Sequence, residues 1–217
     1  MSNQILIKIC GIKTPEIALA AAKMGADFIG LVFCPSSRRF ISLPEAKIIS
    51  EAAAGADVKV VGVFARHDVR EIIKICEFTG IKTAQLHGAA AKHYAYKLPQ
   101  DIQRIYVVNV RDDGKILDAE DKKNIGYLDP ARDYLLFDSL EAGSGRGFDF
   151  SHFKSVYGLT FFLAGGLNAD NVKGALDVVK PDGVDVSSGV ENIDGVKDAN
   201  LIKQFILQTR QAEKRND

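Results

Sequence analysis

Three side chains in this sequence are placed to move protons: Cys10, Asp138 and Asp185 each sit at or near the end of an apolar run. In "ILIKICGIK" the run closes on a thiol and then on a glycine suited to a tight turn. A free thiol has a pKa of about 8.5, and it becomes a base near neutrality where a positive charge or an amide dipole stabilises the thiolate. Cys34 closes "FIGLVFC" in the same way, so position alone leaves the two thiols equivalent. Cys76 shares an apolar face with Ile72 and reads as a small hydrophobe. "YLLFD" carries the Asp138 carboxyl to a strand end, where it can donate a proton, cap a helix or pair with Arg146. Asp185 lies inside "GVDVSS" and needs a partner, because an unpaired buried carboxylate is costly.

Glycines, serines and arginines mark a second chemistry, the holding of anions. Gly165 and Gly166 in "AGGLN", with Ser187, Ser188 and Gly189 in "SSG", close the last two apolar runs. Bare backbone N–H groups there, with a short helix N-terminus, form the usual phosphate site of a strand-helix barrel. Either motif alone fits a tight turn; the two together predict a small phosphorylated ligand. Arg38 and Arg39 in "PSSRRF" offer guanidinium forks that match a carboxylate, although loop arginines are often simply solvated. His87 in "QLHG" suits a base or a neutral hydrogen-bond donor. Gly145, in "EAGSGRG", joins the substrate-binding candidates in a loop whose glycine content suits movement.

The elements that must position these groups alternate along the chain. Apolar runs begin near residues 5, 28, 59, 83, 104, 134, 160 and 183, and "TAQLH" at 83 is the weak one. Runs of this kind suit parallel strands covered on both faces. Between them, Thr14 caps a helix that Pro15 opens and Gly25 closes, Ser42–Glu45 and Asp68–Glu71 have capping-box spacing, and Asn168 is a further N-cap. Periodicity is weak over 115–125. The pattern predicts one closed (β/α)8 barrel, a single-domain TIM barrel over 1–217 with a polar tail fraying from about 210. A doubly wound sheet would show G-x-G-x-x-G where the chain reads "CGIKTP". In a barrel, strand carboxyl ends face the site, which gathers Cys10, the "CPSSRRF" loop, His87, Asn109, Arg111, Asp138 and the last two turns.

Composition narrows the partners. Lys plus Arg and Asp plus Glu both number 28, so the net charge is zero and no general attraction to nucleic acid or acidic membranes follows. Three cysteines make neither a disulfide framework nor paired metal-ligand spacing, which fits a reducing compartment. The opening "MSNQILIKIC" has no signal-peptide pattern, and no apolar run is long enough for a membrane span. The expectation is a cytoplasmic protein that binds its anion at a local site, without metal.

"KICGI", "GADFIGLVFCPSSRRFIS", "VGVF", "QLHG", "LLFD", "GSGRGFDF", "LAGGLN", "GVDVSSGVE" and "GVKD", in order from residue 8 to residue 198, resemble the phosphoribosylanthranilate isomerase family of tryptophan biosynthesis. The resemblance implies a (β/α)8 barrel that performs an Amadori rearrangement without metal or organic cofactor, as a monomer or homodimer. It implies Cys10 as general base and Asp138 as general acid, selects Arg39 over Arg38 for the anthranilate carboxylate, and gives Asp185 a supporting role. Asp138 would then have to stay protonated, its pKa raised by burial or like charge. Lys13, Gly147 and Phe150 stand where the family commonly has Thr, Thr and Trp. The rival readings are a histidine-pathway isomerase, which would show a phosphate site in each half and aspartates as acid and base, and a non-catalytic phosphate-binding barrel.

Overall fold

Alternation within each strand decides what the barrel encloses. In β1 (Leu6–Cys10), Ile7 and Ile9 pack outward into the layer shared with the helices, while Leu6 and Cys10 join apolar clusters inside. Lys8 must therefore point inward as well. The computed structural model describes residues 4–93, 95–110, 119–139 and 158–213. The remaining strands are β2 (Phe28–Val32), β3 (Lys59–Phe64), β4 (Thr83–Leu86), β5 (Gln103–Val110), β6 (Tyr134–Ser139), β7 (Thr160–Ala164) and β8 (Gly183–Val186). They pair in parallel in chain order, and β8 returns to β1, so the sheet closes as a (β/α)8 barrel.

Two apolar layers hold it. Outward residues such as Ile29, Leu31, Leu135 and Leu163 meet Ala18, Ile49, Ile72 and Phe205 of the surrounding helices. Inside, Phe28, Val61, Ile105, Val107, Leu136, Phe162 and Ala164 fill the barrel. Phe28, Tyr134 and Phe162 meet edge to face with centroids 5.4–5.7 Å apart, plugging the amino end. "TAQLH" is a weak strand signal because Thr83 and Gln85, polar residues, are among the buried ones.

The described helices are α1 (Pro15–Lys23), α2 (Leu43–Ala53), α3 (Val69–Thr79), α4 (Ala89–Lys92), α5 (Ala119–Ile125), α6 (Val172–Val179) and α7 (Ala199–Glu213). Their starts follow the sequence signals: the Thr14 hydroxyl accepts from Ile17 N–H at 3.4 Å, and Asp68 and Glu71 exchange bonds of 2.9 and 2.8 Å. Glu45 accepts from the Ser42 N–H at 2.9 Å. Asn168 differs from expectation. Its side chain accepts from the N–H groups of Asp170 and Asn171 in a turn, and the cap position of α6 falls at Asn171. The weak periodicity near 115–125 has a physical reason in α5, which docks through polar groups. Asp121 accepts from the Tyr106 hydroxyl at 2.7 Å and buried Asn124 donates to the Lys92 carbonyl at 3.3 Å. Nor does the last helix fray at 210. Arg210 donates to the Ile5 carbonyl at 2.6 Å and to Glu213 at 2.8 Å, and Ala212 is buried, which carries α7 to Glu213.

Candidate active site

Above the aromatic plug, Cys10, Val32 and Val63 form a small apolar floor, with Cys34 packed against it. A cavity of about 460 Å³ opens there at the carboxyl ends of the strands. Cys10, Asp138, Asp185 and Arg39 line it, as do Gly165, Gly166, Ser187 and Ser188. His87 and Cys34 reach it too. Arg38 is absent from the lining and is 61% exposed. Asn109, one residue before the end of β5, is exposed and outside the lining, and Gly189, which pairs with Asn168, is outside the lining too. Gly145, with Arg111, Arg146, Gly147 and Phe150, lies outside the described residues.

The partner that Asp185 requires is Lys8. Its ammonium lies 2.9 Å from Asp185 Oδ1, with Lys8 fully buried and Asp185 8% exposed. Burial works against the Lys8 charge, but the Asp185 carboxylate and the Cys10 sulfur more than offset it, so its pKa is raised. Gly30 leaves room for this group: a side chain there would begin 2.9 Å from Cys10 Sγ and 3.2 Å from Lys8 Nζ.

The surroundings of the thiol, which the sequence left open, are set by burial. Burial pushes Cys10 up, and the opposing pull of Lys8 and Lys197 does not compensate. Cys34 moves the other way, lowered first by its Ser36 contact at 3.2 Å and helped by Arg66. Cys76 is pushed up to about 12 by burial, as an inert core thiol should be. Of the two causes expected to keep Asp138 protonated, burial is incomplete: its side chain is 34% exposed, and His87 Nε2 lies 3.9 Å away, beyond hydrogen-bond range.

The turn after β7 takes the backbone that glycine allows. Gly165 and Gly166 have φ of 100° and 61°. Ser187 donates from its hydroxyl to the Cys10 carbonyl at 3.1 Å, which ties the β8 turn to the end of β1. Arg39 is held by Glu191, whose carboxylate accepts from Arg39 Nε at 2.6 Å and from Nη2 at 3.0 Å. Lys197 donates to Glu191 at 2.8 Å and to the Ser187 carbonyl at 2.7 Å.

Lys8, Glu191 and Lys197 escaped the sequence reading. For Lys8 the signal was present: inward Cys10 makes residue 8 inward too, one strand away from a carboxylate in want of a cation. Glu191 and Lys197 flank Asp194-Gly195, a hairpin signal that brings them opposite one another. Among the described residues no group of three His, Cys, Asp or Glu side chains is arranged to hold a metal ion.

A parallel barrel with titratable groups around one cavity at its strand carboxyl ends defines the class, a (β/α)8 enzyme. Comparison with known proteins gives the particular family. The family model of N-(5'phosphoribosyl)anthranilate (PRA) isomerase matches residues 7–208. The chain is 39% identical over 209 residues to N-(5'-phosphoribosyl)anthranilate isomerase 1, chloroplastic, of Arabidopsis thaliana, across 94% of this chain and 74% of that one. It matches a crystal structure of phosphoribosyl anthranilate isomerase in complex with reduced 1-(o-carboxyphenylamino)-1-deoxyribulose 5-phosphate, with a TM-score of 0.79 and 32% identity over 96% of this chain and 100% of that one. Monomers of the dimeric isomerase from Thermotoga maritima match with a TM-score of 0.77 and 33% identity, over 96% and 100%. The chain belongs to the N-(5'-phosphoribosyl)anthranilate isomerase family.

Proposed function

We propose that this chain is the isomerase of tryptophan biosynthesis that converts N-(5-phosphoribosyl)anthranilate into 1-(2-carboxyphenylamino)-1-deoxyribulose 5-phosphate, with Asp138 as general acid and Cys10 as general base. The observation that carries the assignment is the arc β6-β7-β8-β1. Asp138 stands at one end and Cys10 at the other, with the glycine and serine turns between them, all on one cavity. A sugar phosphate held at its 5-phosphate by those turns lies with its reacting carbons between acid and base.

The chemistry follows from that placement. Nitrogen pushes the C1–O bond open, and Asp138 gives its proton to the departing ring oxygen. The iminium formed makes the C2 proton acidic, and the Cys10 thiolate takes it. The enolamine then tautomerises to the aminoketose. Lys8, paired with Asp185, puts a fixed positive charge beside the sulfur as it ionises. Because burial holds the thiol pKa high, the thiolate is scarce in the free protein but strongly basic once formed. Arg39 receives the anthranilate carboxylate. Ring opening and C2 deprotonation each have a protein group, Asp138 as donor and Cys10 as acceptor, and the scheme calls on no cofactor.

A turnover assay with freshly prepared phosphoribosylanthranilate tests this reading. Formation of the aminoketose supports it; no product here, with turnover of the histidine-pathway aminoaldose instead, assigns the chain to that rival. A cytoplasmic setting and a monomeric or homodimeric state complete the proposal, and the dimeric Thermotoga maritima relative supports the homodimer. No described helix is long and apolar enough to cross a membrane.

A further inference from the structure

Glu191 gathers three cations at the barrel mouth. Its side chain is 3% exposed, and besides Arg39 and Lys197 it accepts from Arg38 Nη2 at 2.6 Å. Burial opposes its charge, and the bonds from Arg39 and Lys197 more than offset this, so its pKa lies below the ordinary glutamate value. A guanidinium has two forked edges. Glu191 takes the Nε–Nη2 edge of Arg39, and the Nη1–Nη2 edge is not used by it. The stem of Arg39 lies against the Gly11 backbone, where an added Cβ would stand 2.5 Å from Arg39 Cδ. Stem and one edge are thus fixed on a side chain that lines the cavity.

We propose that Glu191 is a positioning residue: it fixes one edge of Arg39 so that the opposite edge is presented to the substrate carboxylate. This rests on the reading of Arg39 as the carboxylate clamp. The same carboxylate reaches Lys197, which holds the Ser187 carbonyl, so the clamp and the turn after β8 are set relative to each other. Free arginine would have to be ordered by each arriving substrate; an arginine held in advance does not.

The test compares two phosphorylated ligands in Glu191→Gln: the reduced carboxyphenylamino-deoxyribulose phosphate, which has the carboxylate, and ribose 5-phosphate, which lacks it. The variant should raise KM and weaken the first ligand about tenfold, while kcat stays within about threefold and ribose 5-phosphate affinity within about twofold. In an Arg39→Ala background the same change should add less than about twofold, because its effect runs through Arg39. Equal weakening of both ligands, or an undiminished effect in that background, overturns the positioning role and leaves Glu191 a brace of the loop. Arg39→Ala with unchanged affinity for the carboxylate ligand overturns the clamp reading itself. If Glu191→Gln melts too low to assay, Glu191→Asp keeps the charge and shortens the reach. It must still separate the two ligands, and equal weakening there is equally fatal.

Discussion

Two buried ion pairs lie at opposite ends of this barrel, and of these two it is the one at the carboxyl end that lines the mouth cavity. At the amino end, Asp133 is 1% exposed and accepts from the N–H groups of Arg104 and Asp129, each at 2.9 Å, with Arg104 Nε at 3.4 Å. At the carboxyl end, Asp185 meets Lys8 at 2.9 Å, beside the Cys10 thiol and on the cavity wall. Each end buries a cation beside a carboxylate, although Lys8 hydrogen-bonds Asp185 and Arg104 Nε only approaches Asp133. What also differs is where the oxygens go. Asp133 spends them on backbone that shapes the turn into β6, whereas Asp185 braces a cation against a titratable sulfur. A buried ion pair by itself marks no chemistry; one that opens on a cavity beside a thiol does.

The largest break in that contrast should come from the mouth. Asp138→Asn removes the proposed proton donor and should lower kcat by roughly 10²–10⁴, the span for losing a positioned proton-transfer group. Near-normal turnover would take Asp138 out of the mechanism. Next come the two ion pairs themselves. Asp133→Asn should destabilise by about 3–5 kcal/mol, as breaking a buried pair does, and leave the kcat of the folded protein intact. Asp185→Asn should show a similar loss in urea unfolding together with a reduced kcat. The contrast collapses if both variants keep full kcat, or if both lose it.

Arg39→Ala is a smaller change. It should weaken the carboxylate-bearing substrate by about 1.5–3 kcal/mol, the worth of charged hydrogen bonds, with ribose 5-phosphate binding unaltered. Smaller still is the acid dependence contributed by Glu191. Its folded pKa is depressed, so its stabilisation is full above the unfolded glutamate value of about 4.3 and is lost as pH falls through the lower folded value. The stability gap between the parent chain and Glu191→Gln should therefore shrink as pH drops from about 6 to about 3. A constant gap across that interval would show that the three cations do not hold the carboxylate ionised.

The barrel was legible because strand periodicity, caps and helix stops repeat from one end of the chain to the other. Cys10, Asp138 and Ser187–Ser188 could be placed at the mouth because barrel topology puts every strand end there. Partners were harder. Lys8 and Asp185 are 177 residues apart and meet only because β8 closes on β1. Their shared inward parity was nonetheless readable. The Arg39–Glu191–Lys197 cluster depends on how the turn after β8 folds over the loop after β2, which periodicity does not encode. Tuning was least visible. "KICG" leaves the direction of the thiol pKa open, because the packing of Val32 and Val63 around it belongs to the folded barrel, where burial raises it.

The central claim is that the Cys10 thiolate takes the C2 proton, and kcat/KM measured against pH with and without Cys10→Ser tests it most directly. Turnover needs the thiolate and a protonated Asp138 together, so the thiol's own titration shows in the Asp138→Asn background, where kcat/KM should still be rising above about pH 8.5 because burial raises the thiol pKa. Cys10→Ser should abolish that rise in the same background, and in the parent chain it should cost roughly 10²–10⁴ in rate. A serine variant with near-parental rates and the same profile would contradict the account.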